Sequence, residues 1–272
     1  MINHAAPVGG GVLSTRGISK SFGAVRALRN VDFHVNTGEV VGLLGDNGAG
    51  KTTLISVLSG LISPDAGIIY VRGVEQQFDN PTKARLAGVE TVFQNLSLIS
   101  SLDIAENVFL NRERYHGGIL RRVKIMDKRG MRREVAAGLE SLGLQLPAPQ
   151  TKVAALSGGQ RQAVAVARAV MWRSDILLLD EPSAALGTRQ TEIVLSLIER
   201  LKLRNVAIVL ISHNLPQVMR VADRIVVMRL GQKVMDRLRA DCTAADIVAH
   251  MTGAELPIND ELRSTPAHHG TL

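Results

Sequence analysis

The amino-acid sequence predicts an α/β fold, a mostly parallel sheet flanked by helices, with a helical insertion part-way along. Three observations carry that expectation. The stretch Gly45-Asp46-Asn47-Gly48-Ala49-Gly50-Lys51-Thr52-Thr53 fits the phosphate-loop pattern G-x-x-x-x-G-K-[ST], and it stands between an apolar run at 39–44 and a helical run at 54–58. The runs at 175–181 and 206–211 are continuously apolar over their centres, which suits parallel strands covered on both faces. Between Gln94 and about residue 155 the strand signals stop and helical periodicity takes over.

Bulk properties narrow the class. The chain has 272 residues and 46% hydrophobic content, enough for one large domain or two modest lobes with a packed core. No apolar run reaches the ~20 residues that span a bilayer, and the first residues lack the charged-then-apolar layout of a secretory signal. Cys242 is the single cysteine, so an internal disulfide is excluded, which suits a reducing compartment. The formal net charge of +7 fits nucleic acid, an anionic membrane face or solubility alone, and composition does not choose among them.

The elements follow in order. Residues 1–11 are small and glycine-rich and are expected to be disordered. Residues 12–19 and 31–35 read as strands, split by a turn at Ser21-Phe22-Gly23. The run at 39–44 is a buried strand that feeds the glycine loop. Asp65-Ala66-Gly67 makes a turn, and 68–71 resumes a strand. Asn80 caps a short helix with Pro81 in its first turn, and Gly88 closes it. Residues 89–93 form a strand ending at Gln94. Leu96, Leu98, Ile99 and Leu102 lie on an apolar loop, after which Asp103 and Glu106 have capping-box spacing and open a helix. Residues 112–133 are strongly basic, with Arg114, Arg121, Arg122, Lys124, Lys128, Arg129, Arg132 and Arg133, and read as a solvated helical face. An amphipathic helix at 133–142 is broken by Pro147 and Pro149. The alanine-rich run 161–170 is a helix former with Ser157 at its start. Beyond the strand at 175–181 come a helix at 190–204, a strand at 206–211, a helix at 215–222, a hairpin of 224–228 with 233–235 across Leu230-Gly231, a last helix at 244–251, and a mobile tail at 254–272.

Several of these positions carry chemistry. In the glycine loop, Gly45, Asp46, Asn47, Gly48, Ala49 and Gly50 let backbone N–H groups point inward, and the following helix adds its positive end. Lys51 can reach nucleotide β- and γ-phosphates, and the Thr52 hydroxyl can bind Mg²⁺, with Thr53 beside it. Phe22 precedes the first strand–loop–helix unit, where its ring can stack on a purine base. Ser157, Gly158, Gly159 and Gln160 make a second helix-N-terminal anion site. Asp180 sits at the carboxyl end of a parallel strand, where open α/β sheets place ligands, and can hold Mg²⁺. Glu181 can polarise an attacking water. His213 ends another strand the same way and is read as a γ-phosphate contact.

The set resembles the ATP-binding cassette family of transport ATPases, over residues 12–253. The pieces stand in that family's order: Phe22, the phosphate loop, Gln94 as a glutamine loop, Leu156-Ser157-Gly158-Gly159-Gln160, Asp180-Glu181, and His213. The resemblance implies a P-loop NTPase core with an N-terminal antiparallel β subdomain and an inserted α-helical subdomain at about 95–157. It implies ATP and Mg²⁺ as cofactors, with Gln94, Asp180 and Thr52 on the metal. Catalysis would fall to Glu181, His213, Gln94 and Lys51. It further implies a head-to-tail pair, expected here as a homodimer, with each ATP between one copy's Lys51 loop and the other's Ser157-Gly158-Gly159-Gln160. Expected partners are integral membrane permease subunits, met in part by the apolar loop at 96–102, and indirectly a periplasmic or extracellular solute-binding protein. The expected place is the cytoplasmic face of the cell membrane.

Residues 183–187, 211–216 with 221–225, and 106–110 look like the simple-sugar importers of this family. Gly187 departs from the aspartate most cassettes have there. The function expected is therefore ATP-driven sugar uptake. The alternatives are uptake of another small solute, such as an amino acid or nucleoside, and a soluble cassette acting on nucleic acid or ribosomes. This chain shows neither the charged linker nor the coiled-coil or zinc insertions of such proteins, so a nucleic-acid partner is not expected.

Overall fold

The structure, a computed structural model, describes residues 11–93, 96–116, 125–172, 174–183 and 186–254. The expected disordered start and mobile tail lie outside the described residues apart from Gly11 and Ala254, as do Gln94, Arg121, Arg122 and Lys124. The strands in chain order are β1 (Leu13–Phe22), β2 (Val25–Val35), β3 (Val40–Leu44), β4 (Ala66–Val71), β5 (Val74–Gln76), β6 (Val89–Val92), β7 (Ile176–Asp180), β8 (Ala207–Ile211), β9 (Arg224–Arg229) and β10 (Gln232–Leu238). The helices are α1 (Lys51–Leu58), α2 (Pro81–Leu86), α3 (Ile104–Val108), α4 (Lys128–Ser141), α5 (Gly158–Met171), α6 (Thr188–Leu203), α7 (Leu215–Val221) and α8 (Ala244–Thr252).

The strands make two sheets. The larger has the order β10-β9-β3-β8-β7-β6, and all its pairs are parallel except the β9–β10 hairpin. The smaller, β2-β1-β4-β5, is antiparallel. The central strands alternate between two apolar clusters. Leu177, Leu179, Ile208 and Leu210 face one with α5, α6 and α7. Ile176, Leu178, Val209 and Ile211 face the other, with α1 and the antiparallel sheet. Burial on both faces explains why these strands read as continuous apolar runs.

Local chemistry sets the element ends. Asn80 accepts from Lys83 N at 3.0 Å, with Pro81 in the first turn. Asp103 and Glu106 exchange the two capping-box bonds at 2.7 and 3.0 Å. Strand β1 runs through Ser21 and Phe22, so the turn falls after Phe22, on Gly23 and Ala24. The strand predicted at 31–35 begins earlier, at Val25, because it pairs with β1 over its whole length. The β2 register is irregular: Ser21 and Lys20 are adjacent, but their partners are Arg26 and Leu28, so Ala27 is an extra residue.

The insertion packs α3, α4 and α5 together, with a T-shaped contact of Phe109 and Trp172 at 4.9 Å. Buried Asn107 ties down the apolar loop, accepting from Ile99 N at 2.7 Å and donating to Ile99 O at 3.0 Å. Leu96 and Leu98 pack against the larger cluster, whereas Ile99 stays exposed. In the basic stretch, Lys128 pairs with Glu106 at 2.7 Å, Arg132 with Asp103 at 2.8 Å, and Arg114 with Glu134. At the amino ends of β3 and β9, Arg224 is 7% exposed and bonded to Glu39, Asp236 and His34 O, each at 2.6 Å. This network leaves the carboxyl ends of the sheet to carry the site.

Candidate functional site

The site begins where β3 runs into its loop. Gly45 has φ 146°, and a Cβ there would lie 2.2 Å from Met228 O. Gly50, with φ 102°, caps α1, and a Cβ there would lie 2.6 Å from Ala27 O. Both positions need glycine because the chain conformation and the close backbone approach exclude a side chain. Gly50 offers no capping side chain, so the first N–H groups of α1 remain available to an anion. Asp46, Asn47 and Gly48 form the exposed crest of the loop, and Ala49 and Gly50 are buried beneath it. The loop borders a cavity of about 480 Å³, whose lining includes Asn47, Gly48, Ala49, Gly50, Lys51, Thr52 and Thr53.

Lys51 folds back across its loop, and its ammonium donates to Gly45 O at 2.6 Å and Asp46 O at 2.9 Å. Partial burial holds its pKa below the ordinary value, against the opposing pull of Glu181, Asp46 and Asp180. Asp46 belongs to the loop itself, whereas Asp180 and Glu181 come from the end of β7 and the residue after it, two strands from β3. The parallel order β3-β8-β7 brings these strand ends together.

Asp180 ends β7, and its carboxyl pKa is raised, first by burial and then by the neighbouring Glu181 charge. Glu181 follows in a left-handed conformation, φ 52°, rarely adopted by a residue with a side chain. Its N–H donates to Ile211 O of β8 at 3.0 Å, which fixes the turn. The same turn brings Glu181 Oε2 within 2.6 Å of His213 Nδ1, just past β8. Glu181 is largely covered whereas the His213 ring is mostly exposed. The site thus has a covered carboxylate beside an open imidazole, facing a cationic phosphate loop. This arrangement can hold a phosphorylated ligand and activate a water near it.

Asp180 also carries a stability prediction. A carboxyl whose folded-state pKa lies above its unfolded value is least unfavourable at low pH. Its cost appears as pH rises through the folded pKa. Asp180→Asn should therefore raise the unfolding midpoint of the ligand-free protein at neutral pH, with the gain vanishing in mild acid. Thermal melts from pH 4 to 8 check this, and an equal or lower midpoint at pH 7 would refute the assigned cause.

The remaining positions stand apart. Ser157 caps α5 in a capping box with Gln160, at 3.3 and 2.9 Å. Gly159 abuts α6, where a Cβ would lie 2.7 Å from Gln190 Cβ, and Gly158 lies against Leu186. None of residues 157–160 lines the phosphate-loop cavity of the same chain. Phe22 is 50% exposed with Lys20 Nζ 5.8 Å from its ring centre. It does not line the cavity, but its cross-strand partner Val25 does. Gly187 is the N-cap of α6, with open space where a side chain would stand. Gln94 lies outside the described residues. Sequence reasoning missed Val25, Arg26, Ala27, Arg29 and Leu230 on the cavity wall. Four of them lie on the irregular stretch of β2 and Leu230 on the β9–β10 turn, and no local motif announces them.

A protein-family model described as ABC transporter matches residues 28–184. The fructose import ATP-binding protein FrcA of Rhizobium meliloti is 45% identical over 248 residues, covering 90% of this chain and 95% of that protein. The xylose/arabinose import ATP-binding protein XylG of Sulfolobus acidocaldarius is 42% identical over 90% of this chain and 95% of its own length. The ribose import ATP-binding protein RbsA of Chromobacterium violaceum is 39% identical, with 90% of this chain matching 47% of that longer protein. Among solved structures, a nucleotide-free ATP-binding cassette from an ABC transporter matches with TM-score 0.72 at 26% identity, over 84% of this chain and 91% of that one. A dimeric post-hydrolysis cassette, MJ0796 bound to ADP and Pi, matches with TM-score 0.68 at 25% identity, over 84% and 98%.

Proposed function

This chain belongs to the ABC transporter family, and we propose that it is the ATP-hydrolysing subunit of an importer for a simple sugar. The fructose, xylose/arabinose and ribose import subunits it resembles supply the solute class. The observation that carries the mechanism is the split site. The phosphate loop, Asp180, Glu181 and His213 stand at the carboxyl ends of β3, β7 and β8, while Ser157-Gly158-Gly159-Gln160 opens α5 and lines no part of the phosphate-loop cavity in the same chain. Two copies placed head to tail join the two halves, as the dimeric neighbour's form supports. Triphosphate then bridges the copies, and its hydrolysis lets them part, a rigid-body movement that a permease can follow.

The residues act by position and charge. Loop N–H groups, Lys51 and the α1 N-terminus hold the phosphates, and Ser157 with its helix start closes over them from the second copy. Glu181 accepts a proton from the attacking water, and His213 orients beside the γ-phosphate. The Thr52 hydroxyl and the Asp180 carboxylate are hard oxygen donors suited to Mg²⁺, and Asp180 carries negative charge that burial makes costly. Among the described residues no three His, Cys, Asp or Glu side chains cluster for a metal, so beyond Thr52, Asp180 and Gln94 such an ion would take its ligands from water and phosphate. Bound there, Mg²⁺ would neutralise charge on the phosphates. Gln94 is assigned to the same ion.

The subunit works at the cytoplasmic face of the membrane with permease subunits and, through them, a solute-binding protein. Among the described residues no helix is long and apolar enough to cross a membrane, so the crossing falls to the permease. The alternative solutes, amino acids or nucleosides, are separated by experiment: mild-detergent co-purification from native membranes, then ATPase assays of the assembly against a sugar panel. Stimulation by a sugar is the expected result, and a nucleic-acid partner without a permease would overturn it.

Phe22 is assigned to the adenine ring. Phe22→Ala should raise the ATP dissociation constant about tenfold, in line with ~1–3 kcal/mol for base–aromatic stacking. An unchanged constant by titration calorimetry returns Phe22 to strand-end packing.

A further inference from the structure

Part of the wall of the phosphate-loop cavity comes from β2. The β1–β2 register loses one residue at each of two places here. Lys20 and Ile18 pair with Leu28 and Val31, and Ser21 and Lys20 pair with Arg26 and Leu28. Two extra residues in so short a span break the inward–outward alternation. Val25, Arg26, Arg29 and Asn30 are all exposed, while Leu28 and Val31 stay buried. The bulged segment is pinned to the site by backbone. Arg29 N donates to Gly231 O at 2.8 Å, Gly231 N donates to Ala49 O at 3.0 Å, and the Ala27 carbonyl closes on Gly50.

Arg26 and Arg29 both line the cavity beside Lys51, and no carboxylate does. Asp46, Asp180 and Glu181 act on Lys51 without lining the cavity, and the charge left facing it comes from the two guanidiniums. Among the described residues neither guanidinium has an ion-pair or hydrogen-bond partner, unlike Arg224, which has three. Unpaired guanidiniums on a bulged strand serve the fold poorly, but a polyanion in the cavity complements them.

We infer that Arg26 and Arg29 form a second cationic wall of the phosphate-loop cavity that recognises the nucleotide's polyphosphate from the β2 side. This rests on the reading that ATP occupies the cavity. A nucleotide reaching from Phe22 to the phosphate loop passes along this strand, since Val25 pairs with Phe22 and also lines the cavity. The two guanidiniums add attraction for the phosphates and select for a high charge count. Their role is positioning and capture, so they act on KM and leave kcat nearly unchanged.

The test is titration calorimetry of ATP and steady-state ATPase assays on the full chain, in wild type, R26Q/R29Q, R26K/R29K and Lys51→Ala. The expected result is about tenfold weaker ATP binding in R26Q/R29Q, with most of it restored in R26K/R29K and a shallower dependence of affinity on salt. KM should rise by a similar factor with kcat within about twofold. Both side chains are exposed, so thermal midpoints should match wild type, and a fall of several degrees counts against the inference. Affinity within twofold of wild type in R26Q/R29Q, while Lys51→Ala loses binding, overturns it. So does a loss that the lysine pair fails to restore. If wild type itself does not bind ATP, the underlying reading fails first.

Discussion

Glu181→Gln should bind ATP as well as the wild type does and hydrolyse it about 10²–10⁴-fold more slowly, the range general-base catalysis supplies. The substitution keeps the shape and the left-handed backbone, since glutamine at φ 52° is no worse placed than glutamate. What it removes is the carboxylate that meets His213 at 2.6 Å and the negative charge beside Asp180. With turnover blocked and one repulsive charge gone, the ATP-bound head-to-tail dimer should accumulate. Gel filtration with ATP and Mg²⁺ should show the pair, and the wild type should return to single copies as ATP is consumed. Undiminished hydrolysis would falsify the base assignment. A slow variant that never pairs would instead remove the split-site mechanism while leaving Glu181 its chemistry.

The second large effect is on the fold. Arg224→Leu should destabilise the protein by about 3 kcal/mol, the lower end of the cost of breaking a buried ion pair, because Glu39 loses its cation while Asp236 keeps Lys233 at 2.8 Å. Glu39 and Asp236 both bond to this guanidinium, which is 7% exposed, and His34 O accepts from its Nη2. Because Asp223, the residue before it, accepts from Val40 N at 2.9 Å, the damage falls where β3 and β9 begin. A drop of roughly 10 °C in the unfolding midpoint is expected for a domain of this size. Arg220→Gln is the control. Arg220 of α7 bonds to the exposed Glu192 and Glu199 of α6, and its loss should leave the midpoint nearly unchanged. Equal effects from the two variants would mean that burial is not what makes Arg224 matter.

The contrast between these arginines shows where sequence reading stops. Arg220 and Arg224 lie four residues apart and look alike in sequence. Only the crossing of β2, β3, β9 and β10 decides that one is a solvated charge and the other a buried staple. The apolar loop at 96–102 makes the same point. It reads as a docking surface in sequence, and only the structure separates Leu96 and Leu98, packed on the core, from Ile99, which Asn107 holds by its backbone with its side chain exposed.

The amino-acid sequence by itself determined what short-range physics can write. The glycine loop between a strand and a helix, the caps at Asn80, Asp103 and Ser157, and the doubly buried strands all depend on residues within a few positions of each other. Tertiary structure alone decided what depends on distant segments meeting. The contact of Glu181 with His213 needs β7 and β8 side by side, with Ile211 O holding the turn. The presence of Arg26 and Arg29 on the cavity wall needs two displaced registers and a backbone bond to Gly231, about 200 residues later in the chain. Register and strand order are collective properties of the sheet, and no local pattern encodes them.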